Sequence, residues 1–90
     1  MNSTHEVLNS LSGYDNIQDA KLRSIAQQAK GLTEDFNNGS LSADEYAECL
    51  RDLETQTRIV EGAADLAAQK QLNTIVNAAI TIASIAAKAI

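Results

Sequence analysis

The last nineteen residues of the chain, 72–90, are apolar around most of the circumference of a helix. Their polar side chains recur at spacings of 4, 4, 3 and 4, which places them in one narrow stripe on a 3.6-residue period. This polar stripe consists of Asn73, Asn77, Thr81, Ser84 and Lys88. Apart from Thr74, the other positions hold Ile, Leu, Val or Ala. Such a helix is buried by other helices, by sister subunits or by lipid, and the pattern leaves all three open.

A helical hairpin is predicted upstream of this apolar tail. Its first helix covers residues 16–37, with Asp15 or Asn16 as the N-cap. Asn38 and Gly39 end this helix, because both residue types tolerate positive φ. Its apolar positions follow spacings of 3, 4, 3 and 4 and form one seam, which comprises Leu22, Ile25, Ala29, Leu32 and Phe36.

The second helix of the hairpin begins at a double signal. Ser42 and Glu45 form a capping box, in which each side chain accepts a hydrogen bond from the other residue's backbone N–H. Leu41 and Tyr46 occupy the two positions of a hydrophobic staple. The predicted turn residues are therefore Gly39, Leu41, Ser42, Glu45 and Tyr46. The helix is predicted over residues 42–68, with a seam of Tyr46, Leu50, Leu53, Thr57, Val60, Ala64 and Ala67.

Two further segments complete an all-α prediction. A short helix over residues 4–12 starts at a capping box of Ser3 and Glu6 and ends before Gly13. Between residues 67 and 72 the apolar spacing slips by one position without Gly or Pro, so residues 42–90 form either one bent helix or two helices. Residues 1–90 are thus predicted to form a single small helical domain, whose apolar C-terminal helix at 69–90 joins an oligomeric helical bundle.

Composition and charge favour association with other proteins. Tyr14, Phe36 and Tyr46 are the only aromatic residues among 90, and proline is absent. A chain of this size buries only about 60–65% of its unfolded surface, which leaves its own core marginal. Residues 1–68 carry a net charge of −7 and residues 69–90 a net charge of +2. An acidic body without a Lys/Arg cluster argues against nucleic-acid binding.

The sequence contains no residue pattern that indicates catalysis, a cofactor or a metal site. His5 and Cys49 are each the only residue of their type, whereas a zinc site takes three or four such ligands. Residues 34–45 can be laid on a calcium-binding EF-hand loop. Glu34 then replaces the aspartate at the first position, and Phe36 replaces an oxygen ligand at the third. Helix capping explains the same residues without a calcium ion. Because no other motif indicates chemistry, we expect no enzyme activity and no cofactor.

The turn sequence and the composition each resemble a known class of protein. Residues 39–46 read GSLSADEY, and Leu50 and Leu53 follow. This segment resembles SHOCT-type short helical hairpins, which join two helices through a G-x-[IL]-[ST]-x-x-E-[FY] turn. The resemblance covers residues 22–53 and implies a small interaction or oligomerisation module without catalytic residues. The proline-free, Ala/Asn/Gln-rich composition is similar to that of small accessory virion proteins of tailed bacteriophages, which implies a structural role.

The main functional prediction concerns what covers the C-terminal helix. Its apolar surface exceeds what a hairpin with three aromatic residues can cover, so the expected partner is a second copy or a larger protein assembly. Asn77 is expected near the partner, where it selects one register. The predicted interface comprises Leu72, Ile75, Val76, Asn77, Ala79, Ile80, Ile82, Ala83, Ile85, Ala86 and Ile90.

Membrane association through this helix is the alternative. Nineteen helical residues span roughly 28 Å, close to a bilayer core, which is typical of a small holin-like or pore-forming protein. The N-terminus lacks the basic and apolar regions of a signal peptide. We therefore expect an intracellular or virion location.

Overall fold

Residues 3–58 and 66–88 are described from a computed structural model of the chain. Over these residues the chain forms four α-helices and no strand. The helices are α1 Ser3–Ser12, α2 Ala20–Asn37, α3 Ala43–Arg58 and α4 Leu66–Lys88. The predicted all-α fold class is therefore confirmed.

Helices that follow each other in the chain run antiparallel. Thr4, near the start of α1, donates a hydrogen bond of 2.7 Å from Oγ1 to Asn37 Oδ1 at the end of α2. Gln69, near the start of α4, donates one of 2.7 Å from Nε2 to the carbonyl oxygen of Thr57 at the end of α3. Helix α1 packs against α2 and α4, and α3 also packs against both. The four helices thus close a ring around one core in a molecule of 41 × 21 × 19 Å.

The alternative of one continuous helix over residues 42–90 is wrong. A helix of that length would extend roughly 73 Å, whereas α3 and α4 are two helices that pack side by side. Ala67, placed in the α3 seam by the sequence, is an exposed residue of α4. Val60 and Ala64 of that seam lie outside the described residues. Packing α4 back along α3 buries its apolar face, which a single long helix would leave bare.

Helix α2 begins later than predicted, at Ala20. Asp19 is its N-cap, and the Asp19 carboxylate accepts hydrogen bonds of 3.0 and 3.2 Å from two backbone N–H groups of the first turn. The predicted caps, Asp15 and Asn16, lie instead in the turns that follow α1. These turns hold Tyr14 against the core, where only 7% of it is exposed. Asp15, Asn16 and Asp19 are all residue types that cap helices. The burial of Tyr14 in the preceding turns favours Asp19.

The predicted turn between α2 and α3 is confirmed in its hydrogen bonds. Ser42 N–H donates to Glu45 Oε1 at 2.9 Å, and Glu45 N–H donates to Ser42 Oγ at 3.2 Å. Gly39 has a φ of +87°, a conformation that side-chain-bearing residues rarely adopt. Leu41 packs against the core, as the staple requires. This turn sets the entry of the chain into α3.

The apolar seams predicted for the hairpin face the core. The buried members are Leu22, Ile25 and Ala29 of α2 and Tyr46, Leu50, Leu53 and Thr57 of α3. Leu32 and Phe36 are half-buried and pack against the same cluster. Val7 and Leu11 of α1 complete the core on the side of the N-terminal helix.

Tyr46 links α2 and α3 inside the core. It is fully buried, and its ring stacks on Phe36 with centroids 4.7 Å apart. Its hydroxyl lies 2.6 Å from Thr33 Oγ1. Because Thr33 already donates its only hydroxyl proton to the carbonyl oxygen of Ala29, at 2.8 Å, Tyr46 is the donor to Thr33. Burial raises the pKa of Tyr46, because the charged phenolate would lose its hydration there.

Two glycines in the hairpin should respond to alanine in opposite directions. A Cβ at Gly31 meets no atom within 4 Å, so Gly31→Ala should raise the free energy of unfolding by about 0.5–1 kcal/mol through helix propensity. Gly39→Ala should lower it by about 1–2 kcal/mol, because alanine is strained at positive φ. Urea unfolding measures both, and two changes of the same sign would contradict the assignment of the turn.

The capping box predicts both a loss of stability and a pH dependence. Ser42→Ala should cost about 1 kcal/mol through the lost N-cap. The hydrogen bond from the Ser42 backbone N–H holds the pKa of Glu45 below its ordinary value of 4.5, so this stabilisation is present above that value and lost as pH falls through the lower folded-state pKa. Glu45→Gln keeps a capping side chain without the charge. The stability difference between the native chain and Glu45→Gln should therefore shrink on acidification, and a difference independent of pH would contradict the cap.

The buried hydroxyl pair predicts coupling between Thr33 and Tyr46. Thr33→Val leaves the Tyr46 hydroxyl buried without its acceptor, at a cost of about 1–3 kcal/mol. Tyr46→Phe should cost about 1 kcal/mol. The double variant should cost less than the sum of the two, because it removes both partners together. Strictly additive losses in urea unfolding would contradict the hydrogen bond.

Candidate functional site

The solvent-facing side of α4 forms a line without acidic side chains. We call it the α4 outer line; its six residues are exposed, at spacings of 3, 4, 3, 4 and 3, and they are Gln71, Thr74, Ala78, Thr81, Ile85 and Lys88. Ile85, near the C-terminal end of α4, is the one large apolar residue of this line and is 64% exposed. Only Lys88, at the end of the line, carries a charge.

Four residues of the predicted interface are covered by the chain itself. They lie on the inner side of α4, at most 1% exposed: Leu72, Val76, Ala79 and Ala83. The expectation that an oligomer must cover them is therefore wrong. The hairpin is not their only cover, because α1 also packs against α4, and Tyr14 after α1 donates a hydrogen bond of 3.0 Å to the carbonyl oxygen of Ala68.

The other predicted interface residues are divided between the core and the surface. Ile75, Ile80 and Ile82 are partly buried and pack against the core cluster. Asn77 and Ala86 are half-buried. Ile85 is the one large apolar side chain of the set that is mostly exposed among the described residues, and Ile90 lies outside them.

The predicted polar stripe is a flank of α4 and not the centre of its exposed side. Thr81 and Lys88 are exposed, while Asn73, Asn77 and Ser84 are half-buried. Asn73 Oδ1 is buried and has no hydrogen-bond partner among the described residues. Thr81 Oγ1 returns to its own helix and donates to the carbonyl oxygen of Asn77 at 3.1 Å. The side that faces solvent is consequently more apolar than the stripe predicts.

A groove lies between α4 and the end of α1 with its following turns. It has a volume of about 750 Å³ and is open to solvent. Its apolar lining includes Tyr14, Ile17 and Ile75. The polar lining comprises Ser10, Asn16, Lys70, Gln71 and Thr74, in which Lys70 is the only charged residue. The sequence does not predict this groove, because its lining combines residues 10–17 with residues 68–75, which lie far apart along the chain.

Charge is distributed unevenly around the bundle. Helices α2 and α3 contain twelve Lys, Arg, Asp and Glu residues, whereas α1 and α4 contain three: Glu6, Lys70 and Lys88. Because α1 and α4 are neighbours, they form one nearly uncharged side, which we call the α1/α4 side. Lys30 of α2 forms an ion pair with Asp15 at 3.7 Å.

The residues of the calcium-loop alignment have other partners in the fold. Phe36 stacks on Tyr46, and Glu45 accepts a hydrogen bond from the Ser42 backbone at 2.9 Å. Across residues 3–58 and 66–88, no three His, Cys, Asp or Glu side chains form a group able to hold a metal ion. Cys49 is a half-buried free thiol on α3.

Comparison with known proteins adds no relative. The chain matches no protein-family model, and neither a curated protein nor a solved structure was found that is similar to it. The SHOCT and bacteriophage resemblances therefore stay predictions. In the part of the chain that the structure describes, no helix combines the length and apolar character needed to cross a membrane.

Proposed function

We propose that the chain is a non-enzymatic structural protein that assembles with copies of itself through its α1/α4 side. The observation that carries the proposal is the α4 outer line. Five of its six exposed residues are uncharged, and one of these five is the mostly exposed Ile85. The centres of protein interfaces are depleted in charged residues, whereas a helix face that stays in water is normally rich in them. Helices α2 and α3 follow the second pattern, and α4 does not.

The proposal differs from the sequence prediction in the residues involved. The inner face of α4 is already used by the core, so the contact is assigned to Thr74, Ala78, Thr81 and Ile85. Small side chains along this line allow a second helix to approach closely. A structural role in a virion is the setting that the composition suggests for such assembly.

The membrane-active alternative requires the apolar surface of the C-terminal helix, which is long enough to span a bilayer core, to face lipid. Part of that apolar surface, at Leu72, Val76, Ala79 and Ala83, packs in the chain's own core. No observation on the described residues favours the membrane alternative over assembly, so it is not proposed.

Two matched threonine substitutions test the proposal. Thr81 on α4 and Thr55 on α3 are both exposed, and each donates from Oγ1 to the carbonyl oxygen four residues earlier, at 3.1 and 3.2 Å. Thr81→Asp places a charge in the proposed interface and should weaken self-association by about tenfold or more. Thr55→Asp places the same charge on the α2/α3 side and should leave self-association unchanged. Sedimentation equilibrium measures both, and circular dichroism checks that the helices are kept.

Two results would contradict the proposal. One is a native chain that stays monomeric up to several hundred micromolar, a range in which a small interface should associate. The other is an equal effect of Thr81→Asp and Thr55→Asp, which would assign the contact to a different surface or to net charge alone.

A further inference from the structure

We infer that the assembling unit is an antiparallel two-fold dimer in which Ile85 of each copy inserts into the α1/α4 groove of the other. The inference rests on the proposed self-assembly and adds its geometry. Its basis is that α4 carries an exposed apolar side chain, Ile85, and also borders an open groove. The apolar lining of that groove includes Tyr14, Ile17 and Ile75.

The groove and the isoleucine lie along the same side of α4. Thr74 lines the groove and is also a residue of the α4 outer line. Ile85 belongs to the same line but does not line the groove. Eleven residues separate them, which corresponds to about 16 Å along the helix and only about 20° around it. A partner helix that runs along the outer line therefore meets both features.

A two-fold axis that crosses α4 at the level of residues 79 and 80 pairs the outer line of one copy with the outer line of the other. In a two-fold interface, residue i contacts residue j while j contacts i. An antiparallel copy centred there places Thr74 opposite Ile85, Ala78 opposite Thr81 and Gln71 opposite Lys88. The largest apolar side chain then meets the groove, and the smallest residues meet at the helix crossing.

No pair in this arrangement places two charged residues directly opposite each other. Lys88 lies opposite Gln71, whose side-chain oxygen can accept a hydrogen bond from the ammonium group. No acidic residue occurs in α4, and none lines the groove. The groove therefore has no acidic side chain that would favour a basic peptide. An isoleucine fits its apolar lining.

The area of the contact predicts a weak and reversible dimer. The outer line spans roughly 26 Å of helix, and its width is that of a single helix. With the groove included, the total buried area falls at the low end of specific interfaces, below about 1,200 Å². The geometry is therefore best tested by site-specific cross-linking.

The cross-linking experiment uses a Cys49→Ser background and single cysteines at chosen positions. Chains with Ile85→Cys and chains with Thr74→Cys are mixed, one of them carrying a mass tag, and disulfide formation is followed by mass spectrometry. The mixed product should form at least about tenfold faster than either self-product, because like positions lie roughly 16 Å apart along the axis, beyond disulfide reach. Thr55→Cys mixed with Thr74→Cys is the control and should cross-link no faster than the self-products.

The outcomes separate this inference from the proposed function. A self-product of Ile85→Cys that forms as fast as the mixed product, or dimers by sedimentation with no mixed product, would overturn the groove geometry while leaving self-assembly intact. Fast cross-linking through Thr55→Cys would overturn both, because the contact would then lie on the α2/α3 side.

A second pair of variants tests the inference without cysteines. Ile85 and Leu66 are both large apolar residues of α4, 64% and 67% exposed, but only Ile85 belongs to the outer line. Ile85→Ala should weaken the dimer by about tenfold, and Leu66→Ala should leave it unchanged. Equal effects would show that exposed apolar area alone drives association and would overturn the groove geometry.

Discussion

Burial of the inner face of α4 is the constraint on which the rest of the fold depends. Leu72 and Val76 are at most 1% exposed, and burying side chains of this size contributes about 1.5–3 kcal/mol each. One hairpin cannot surround a helix of 23 residues, so α1 has to cover the remaining side. The short N-terminal helix is thus a part of the core, and the ring of four helices follows from the need to cover α4.

Two scarce tyrosines hold this ring together at opposite ends. Tyr46 joins α3 to α2 through its stack on Phe36 and its hydrogen bond to Thr33. Tyr14 joins the chain after α1 to α4 through the carbonyl oxygen of Ala68. Each buries a large ring and satisfies its hydroxyl, which a chain without tryptophan can do at few positions. The pair explains how a core rich in alanine keeps one arrangement of helices.

The same arrangement separates charge from apolar surface. Helices α2 and α3 supply most of the charged side chains, and α1 and α4 form the nearly uncharged side. Covering the inner face of α4 turns its outer line toward solvent, with Ile85 exposed on the same side of the helix as the groove. The proposed assembly and the proposed groove contact both follow from this separation, since charge-poor helical surface is what interface centres use.

The sequence by itself determined the helical class, the hairpin turn and its capping box, because these depend on residues within four positions of each other. Through their spacing it also predicted the main core positions of α2 and α3, such as Leu22 and Leu50, but it missed the buried Thr33 and Ala47. Tertiary structure alone decided that α2 starts after Asp19, that α3 and α4 pack side by side, and that Leu72 lies in the chain's own core while Ile85 lies at the surface. These outcomes depend on cover supplied by residues far away along the chain, such as Tyr14 against Ala68, and periodicity within one helix carries no information about which neighbour will cover which face.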